Sequence, residues 1–155
     1  MSPGGRPHSD PDDVGVIVTV ADIVEVHQLI GLYCMLADSG TTCDWTRVFD
    51  PEASLDMTAL GGSHLQGVAE IAAFFALGSP PHPPAHQTTN PYVWLEDSVL
   101  RSTSTYHSID RASSDVRVGQ YDDVYTRAGA RLRILRRVLT PRWMVGPSLS
   151  ERGLV

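Results

Sequence analysis

His86-Gln87-Thr88-Thr89-Asn90 follows the proline-rich run Pro80-Pro81-His82-Pro83-Pro84 and begins a long extended segment. Four prolines keep residues 78–84 out of any helix or sheet interior, so they form a loop. After them the chain turns β-branched and alternating, which predicts a strand over 85–95. Three more strands follow, at 98–110, 116–127 and 131–139. They are separated by turns at Glu96-Asp97, at 111–115 and at Ala128-Gly129-Ala130. A period of two sets His86, Thr88 and Asn90 on one face of the first strand. A histidine and an amide aimed the same way are unusual for a plain core, which marks that face as the place to look for chemistry.

Upstream of the loop the pattern is mostly helical. Val14–Val20 is a β-branched run, a short strand or a lead-in. Asp22 with Glu25 three residues on has the spacing of a capping box, and the helix it opens runs to about Asp38. Ile23, Val26, Ile30, Tyr33 and Ala37 recur at steps of three and four and define its apolar face. Ser39-Gly40 ends it. Asp38 in the last turn faces the negative end of the helix dipole, a local conflict of the kind found at functional sites. His27 lies at a similar azimuth, but eleven residues of helix set the two about 16 Å apart. Asp44-Trp45 opens a short helix through Phe49, which Asp50-Pro51 breaks. Ala53–Leu60 alternates as a strand and Gly61-Gly62 closes it. Gly67–Leu77 is a helix carrying Ile71, Phe74 and Phe75. Helices first and a meander of long strands after them predict an α+β layer architecture. Residues 14–145 make a single domain between tails at 1–13 and 146–155, with the chain leaving the sheet after Leu139.

Composition narrows the function classes. With 42% apolar and 19% charged residues, the 155-residue chain suits one soluble domain. A net charge of −6 argues against nucleic acid or an anionic membrane surface as the main partner. No apolar run approaches the ~20 residues of a membrane span. All twelve basic residues are arginine. The absence of lysine suits a GC-rich bacterial coding bias and excludes Schiff-base catalysis by lysine. Cys34 and Cys43 lack CxxC spacing, which favours free thiols and a reducing cytoplasm over a disulfide across the helix end. The histidines show neither HxH nor HExxH spacing, so no metal and no other cofactor is expected.

Several local patterns together resemble the SnoaL-like and scytalone dehydratase-like branches of the nuclear transport factor two-like superfamily. They are Tyr33-x4-Asp38 at the end of the first helix, Asp44-Trp45 with Val48-Phe49, and Gly67 before Ile71 and Phe74. To these are added His86-x3-Asn90, Gly119-x-Tyr121-x-Asp123, and Arg136 with Arg142-Trp143. The resemblance covers about residues 20–145. It implies a cone-shaped, curved antiparallel sheet wrapped on N-terminal helices, with a pocket inside. The 38–44 loop is longer than is usual in the family. Leu132 stands where a tryptophan is common, which implies a wider cavity.

The resemblance also implies roles. Asp38 and His86 take the positions of a catalytic pair, with His107 on the next strand as the second acid–base group. Strand alternation puts His107 and Tyr106 on opposite faces, and a single bulge would exchange them. Tyr33 and Asn90 would hold a carbonyl or enolate oxygen. Trp45, Phe49, Met57, Phe74 and Tyr121 would line the cavity. Asp123 would pair a strand arginine, with Arg136 the candidate. The expected activity is cofactor-independent dehydration, cyclisation or isomerisation of a small hydrophobic cyclic or polyketide-derived molecule. One group removes a proton and another supplies one. Association into a homodimer or homotrimer is implied as well. Two alternatives stay open. One is an epoxide hydrolase or epoxide-opening cyclase, which needs a carboxylate–arginine–carboxylate set around a water. The other is a non-catalytic ligand-binding or assembly module.

Overall fold

The computed structural model describes residues 17–39, 43–77, 85–109 and 115–144. The expected tails at 1–13 and 146–155 and the proline loop 78–84 lie outside the described residues. Helix α1 spans Val20–Asp38, β1 Phe49–Asp56, β2 His64–Gln66, α2 Val68–Ala76, β3 Ala85–Glu96, β4 Val99–Ile109, β5 Val116–Ala128 and β6 Arg131–Met144. The six strands form one curved, unclosed sheet in the order β2-β1-β6-β5-β4-β3. The α+β cone is therefore present, with one correction. The sheet is mixed, because β1 runs parallel to β6 while its other pairs are antiparallel.

Local signals explain most boundaries and correct several. The N-cap of α1 is Thr19, not Asp22. The Thr19 hydroxyl accepts the Asp22 N–H at 3.1 Å, and the Asp22 carboxylate accepts the Thr19 N–H at 3.0 Å. Asp22 thus serves as the third residue of the box, and Glu25 is released to pair with Arg127. Val26, Leu29, Ile30, Tyr33, Cys34 and Ala37 are buried, while Ile23, expected on that face, is exposed. At 19 residues, α1 is long and apolar enough to cross a membrane by length and composition, contrary to the sequence expectation. Here one side of it is packed on the sheet.

The short helix after Asp44 is a 3-10 turn, Trp45–Arg47, and Phe49 already belongs to β1. Asp50-Pro51, expected to end that helix, lies inside β1 instead. It forms the irregular part of β1, where pairing with β6 slips between Phe49 and Ser54. The expected strand 53–60 is therefore β1 shifted upstream, and Thr58–Leu60 is a 3-10 turn closed by Gly61 at φ 75°. The three-residue β2 was not foreseen. Asp97 and Ser98 both have positive φ, as a two-residue type I′ hairpin requires, so the turn sits one residue later than expected. β6 continues past Leu139 to Met144, which keeps Trp143 in the sheet.

Two irregularities set which side chains face α1. In β3, pairing shifts between Thr89 and Tyr92, leaving Asn90 at φ 52° beside Pro91. In β6, Val124 pairs Arg136 and Tyr125 pairs Ile134, so Leu135 is an extra residue. Leu132 and Ile134 point inward before that bulge, and Arg137 and Leu139 after it.

The hydrogen bonds that Asp22 makes at the start of α1 predict a measurable cap. The Thr19 hydroxyl, then the Thr19 N–H, then Arg127 hold the Asp22 carboxyl below its ordinary value of 3.8. That contribution is complete above pH 3.8 and is lost as pH falls through the lowered folded value. Thr19→Ala is expected to cost about 1 kcal/mol in urea denaturation at pH 7, and clearly less at pH 2.

Candidate functional site

Asp38 and His86 meet although 48 positions separate them in sequence. The last turn of α1 lies against the start of β3. The His86 backbone N–H donates to both Asp38 oxygens, at 3.0 and 2.9 Å. The His86 ring places Nδ1 2.5 Å from Asp38 Oδ1. The dipole conflict at the helix end is thereby resolved, since three contacts from one residue hold the carboxylate there. A carboxylate only accepts, so Nδ1 carries the proton, and in the neutral imidazole Nε2 then holds the lone pair. The His86 side chain is 10% exposed and that of Asp38 27%. The pair is shielded without being sealed.

The face around this pair is aromatic. The Tyr33 ring stands edge-on to His86 at 6.5 Å, and within 6.0 Å of Trp45, Phe49, Phe75 and Tyr121. Trp45 stacks on Phe75 at 4.1 Å. Of the expected cavity-lining residues, Trp45, Phe49, Met57 and Tyr121 are fully buried and Phe74 is half-buried. Asn90 is exposed at the β3 bulge, off the regular alternation. It meets His86 only along a groove of about 480 Å³ between α1 and β3, which His27, Cys34 and Thr88 also line. The buried Cys34 thiol lies 3.2 Å from the Thr88 hydroxyl, and burial pushes its pKa up.

Two site expectations are corrected. His107 faces the outer side of the sheet. β4 alternates without a bulge, and Ser102, Ser104, Tyr106 and Ser108 are the buried set. His86 pairs Ser108 and Thr88 pairs Tyr106, so Tyr106 shares the face of His86. Arg136 does not partner Asp123, because the Leu135 bulge turns it outward and brings Arg137 in.

Arg137 is 0% exposed and binds Asp123 through Nε and Nη2, both at 2.7 Å. Its guanidinium carbon lies 4.0 Å from the Tyr33 ring centroid and 4.1 Å from that of Tyr121. Those rings stand at 78° to each other, so the cation occupies their corner. The Tyr125 hydroxyl donates to Asp123 at 3.1 Å and lies 2.7 Å from the Ser102 hydroxyl. Burial works against the Arg137 charge, but the Asp123 carboxylate more than offsets it and holds the group charged. Sequence reasoning missed Arg137 and the serine row of β4, and left Tyr106 as the alternative to His107. The Ser102-x-Ser104-x-Tyr106-x-Ser108 alternation was a visible signal for that row.

The family model described as the SnoaL-like domain matches residues 18–138. The chain belongs to the SnoaL-like family. No curated protein matches it. Among solved structures, Kfla4162 from Kribbella flavida aligns with a TM-score of 0.67 at 17% identity, over 84% of this chain and 97% of that one. A type 2 hexachlorocyclohexane dehydrochlorinase, LinA, gives 0.68 at 11% identity, over 81% and 88%. ActVI-ORFA from Streptomyces coelicolor gives 0.64 at 14%, over 79% and 98%. At these identities the likeness is one of fold. Among the described residues of this SnoaL-like chain, no group of three or more His, Cys, Asp or Glu side chains is placed to hold a metal ion.

The buried ion pair and tyrosines make two outcomes measurable. Asp123→Ala strands the Arg137 charge and should cost about 3–5 kcal/mol in urea denaturation. Burial lifts Tyr33, Tyr106, Tyr121 and Tyr125 above the ordinary value of 10, Tyr106 to about 12. The folded state therefore holds those protons more tightly. Its advantage is complete below pH 10 and is lost as pH rises through the raised values. Absorbance at 295 nm should show these tyrosines ionising together with the loss of near-UV dichroism, not before it.

Proposed function

We infer that this SnoaL-like protein is a cofactor-independent acid–base enzyme, a lyase or isomerase acting on a small hydrophobic molecule. The contact between Asp38 and His86 Nδ1 carries the reading. It leaves Nε2 as a base held in one tautomer, with the carboxylate stabilising the imidazolium formed when a proton is taken. The aromatic surroundings favour a substrate with an apolar, ring-containing body. The fold shared with a dehydrochlorinase supports an elimination that begins with removal of a proton from carbon. Dehydration, cyclisation and isomerisation share that first step. The epoxide-opening alternative requires a second carboxylate on the arginine. Arg137 is engaged by Asp123 and by two aromatic rings instead, which favours proton abstraction.

The test uses 5-nitrobenzisoxazole, an apolar carbon acid. A base removes its ring C–H proton, the N–O bond breaks, and a coloured cyanophenolate forms. The protein should open it faster than free imidazole at equal concentration. His86→Ala should abolish the excess rate, and Asp38→Asn should lower kcat about 10²-fold, both with little change in melting temperature. Undiminished turnover by either variant would sink the reading.

A further inference from the structure

His86 borders an open groove of about 480 Å³ that continues well beyond it, between α1 and β3. The two elements pass in opposite directions. Asp38 meets His86, and one turn back on the helix the Cys34 thiol meets Thr88, two residues further along the strand. His27, Gly31, Cys34 and Asp38 recur at steps of three and four, so a single stripe of α1 follows the groove to the Asp38–His86 pair. Asn90 lies about 13 Å past His86 along an extended strand. His27 lies about 16 Å back from Asp38 along the helix. The far end of the groove therefore carries a histidine and an amide. The aromatic residues expected to line a cavity, Trp45, Phe49 and Tyr121, are instead buried within one hydrophobic cluster.

Two local features shape this groove, and each runs against the regular structure that carries it. Gly31 stands in the interior of α1, where glycine is less favourable than alanine by about 1 kcal/mol. A Cβ there would meet nothing within 4 Å, so packing does not demand the glycine. Its effect is to leave the rim of the groove bare. Asn90 has φ 52°, at the bulge where the pairing of β3 with β4 slips between Thr89 and Tyr92. A bulge re-aims the side chain it carries. Here the amide leaves the alternation of the strand and borders the groove, with Pro91 beside it. Ile30 and Pro91 supply apolar wall between the two polar ends. A mostly apolar groove with a few polar groups, within the range of about 300–1,000 Å³, has the make-up of a small-molecule site.

We propose that the substrate lies lengthwise in this groove, with its acidic carbon at His86 and a carbonyl, hydroxyl or amide group at its other end on Asn90. This rests on the Asp38–His86 reading and deepens it by placing the substrate and giving it a shape. The molecule is elongated. Its apolar middle passes Gly31, Ile30 and Pro91, and its hydrogen-bonding group is remote from the carbon that loses the proton. The Asn90 amide both donates and accepts, so it serves any of the three groups. The Asp38–His86 pair sets the reaction, and the Asn90 end selects molecules long enough to reach both. Gly31 determines specificity as well, because a side chain there would narrow the passage between the two ends.

The probe is 6-propionyl-2-(dimethylamino)naphthalene, an elongated neutral molecule with a terminal carbonyl, whose emission shifts to the blue when it leaves water. It should bind the wild-type protein with that shift and inhibit the opening of 5-nitrobenzisoxazole competitively. Gly31→Leu should weaken probe binding about tenfold and raise KM for ring opening more than it lowers kcat. The substitution puts a better helix former at an open position, so the melting temperature should hold or rise. Gly31→Ala, a smaller step in the same direction, should give an intermediate affinity. Asn90→Gly keeps the positive φ and removes the amide, and should weaken probe binding about fivefold. Wild-type probe affinity in both Gly31→Leu and Asn90→Gly would overturn the proposal, as would a wild-type protein that does not bind the probe. Loss of turnover in His86→Ala alongside either result would leave the base assignment standing. Probe affinity that responds to Gly31 and Asn90, with turnover indifferent to His86, would keep the groove as a ligand site and remove the base.

Discussion

A fully buried cation sits where α1 meets the sheet, and the rest of the interior is arranged to tolerate it. Arg137 from β6 has no exposure at all. An isolated charge in such a place would cost several kcal/mol. It persists because Asp123 returns two parallel hydrogen bonds and the faces of Tyr33 and Tyr121 lie against the guanidinium plane. Each of those rings is pinned elsewhere. Tyr33 is the hub of the aromatic cluster that reaches Trp45, Phe49 and Phe75, and Tyr121 carries Tyr106 on its ring. The ion pair therefore joins β5, β6 and α1, and it also fixes two aromatic residues that stand next to His86 and Tyr106. A neutral core of equal volume could be as stable. The arrangement present holds the rings of the candidate site through a directional contact instead of packing alone.

The order of elements was legible because it depends on local chemistry. Turn residues, the prolines of 78–84 and the apolar period of α1 each act within a few residues. The meeting of Asp38 with His86 was expected from the family resemblance, and local chemistry agrees with it. A carboxylate at a helix C-terminus is unfavourable by itself, and a histidine opening the next long strand offers it a partner. Three things were not legible. The parallel pairing of β1 with β6 depends on how the chain returns to the sheet. The switch from Arg136 to Arg137 depends on one extra residue, Leu135, whose placement in a bulge is set by pairing with β5. The exposure of Asn90 likewise follows from the β3 bulge. In the last two cases a two-residue period was assumed to run unbroken, and an inserted residue reversed the side chains beyond it. β4 lacks such a bulge; the turn at Asp97-Ser98 and the β3 bulge set its register on β3, so that His86 pairs Ser108, which puts Tyr106, not His107, inside.

The two acid-containing pairs of this interior differ in a way that separates structure from chemistry. Asp123–Arg137 satisfies both carboxylate oxygens, is excluded from water and binds two further rings. A proton entering or leaving it would strand a buried charge, so it is poised to do nothing. Asp38–His86 uses the backbone N–H and Nδ1 of one residue, remains partly open to solvent, and leaves Nε2 with its lone pair. A proton can arrive there, and the imidazolium it makes already has its counter-charge. The unpartnered hydroxyls of Tyr106 and Ser104 lie on the same side of the sheet as that base. Among the described residues Arg137 Nη1 is unpartnered too, so what separates the two acid-containing pairs is access: the Asp38 side chain is 27% exposed, whereas that of Asp123 is fully buried.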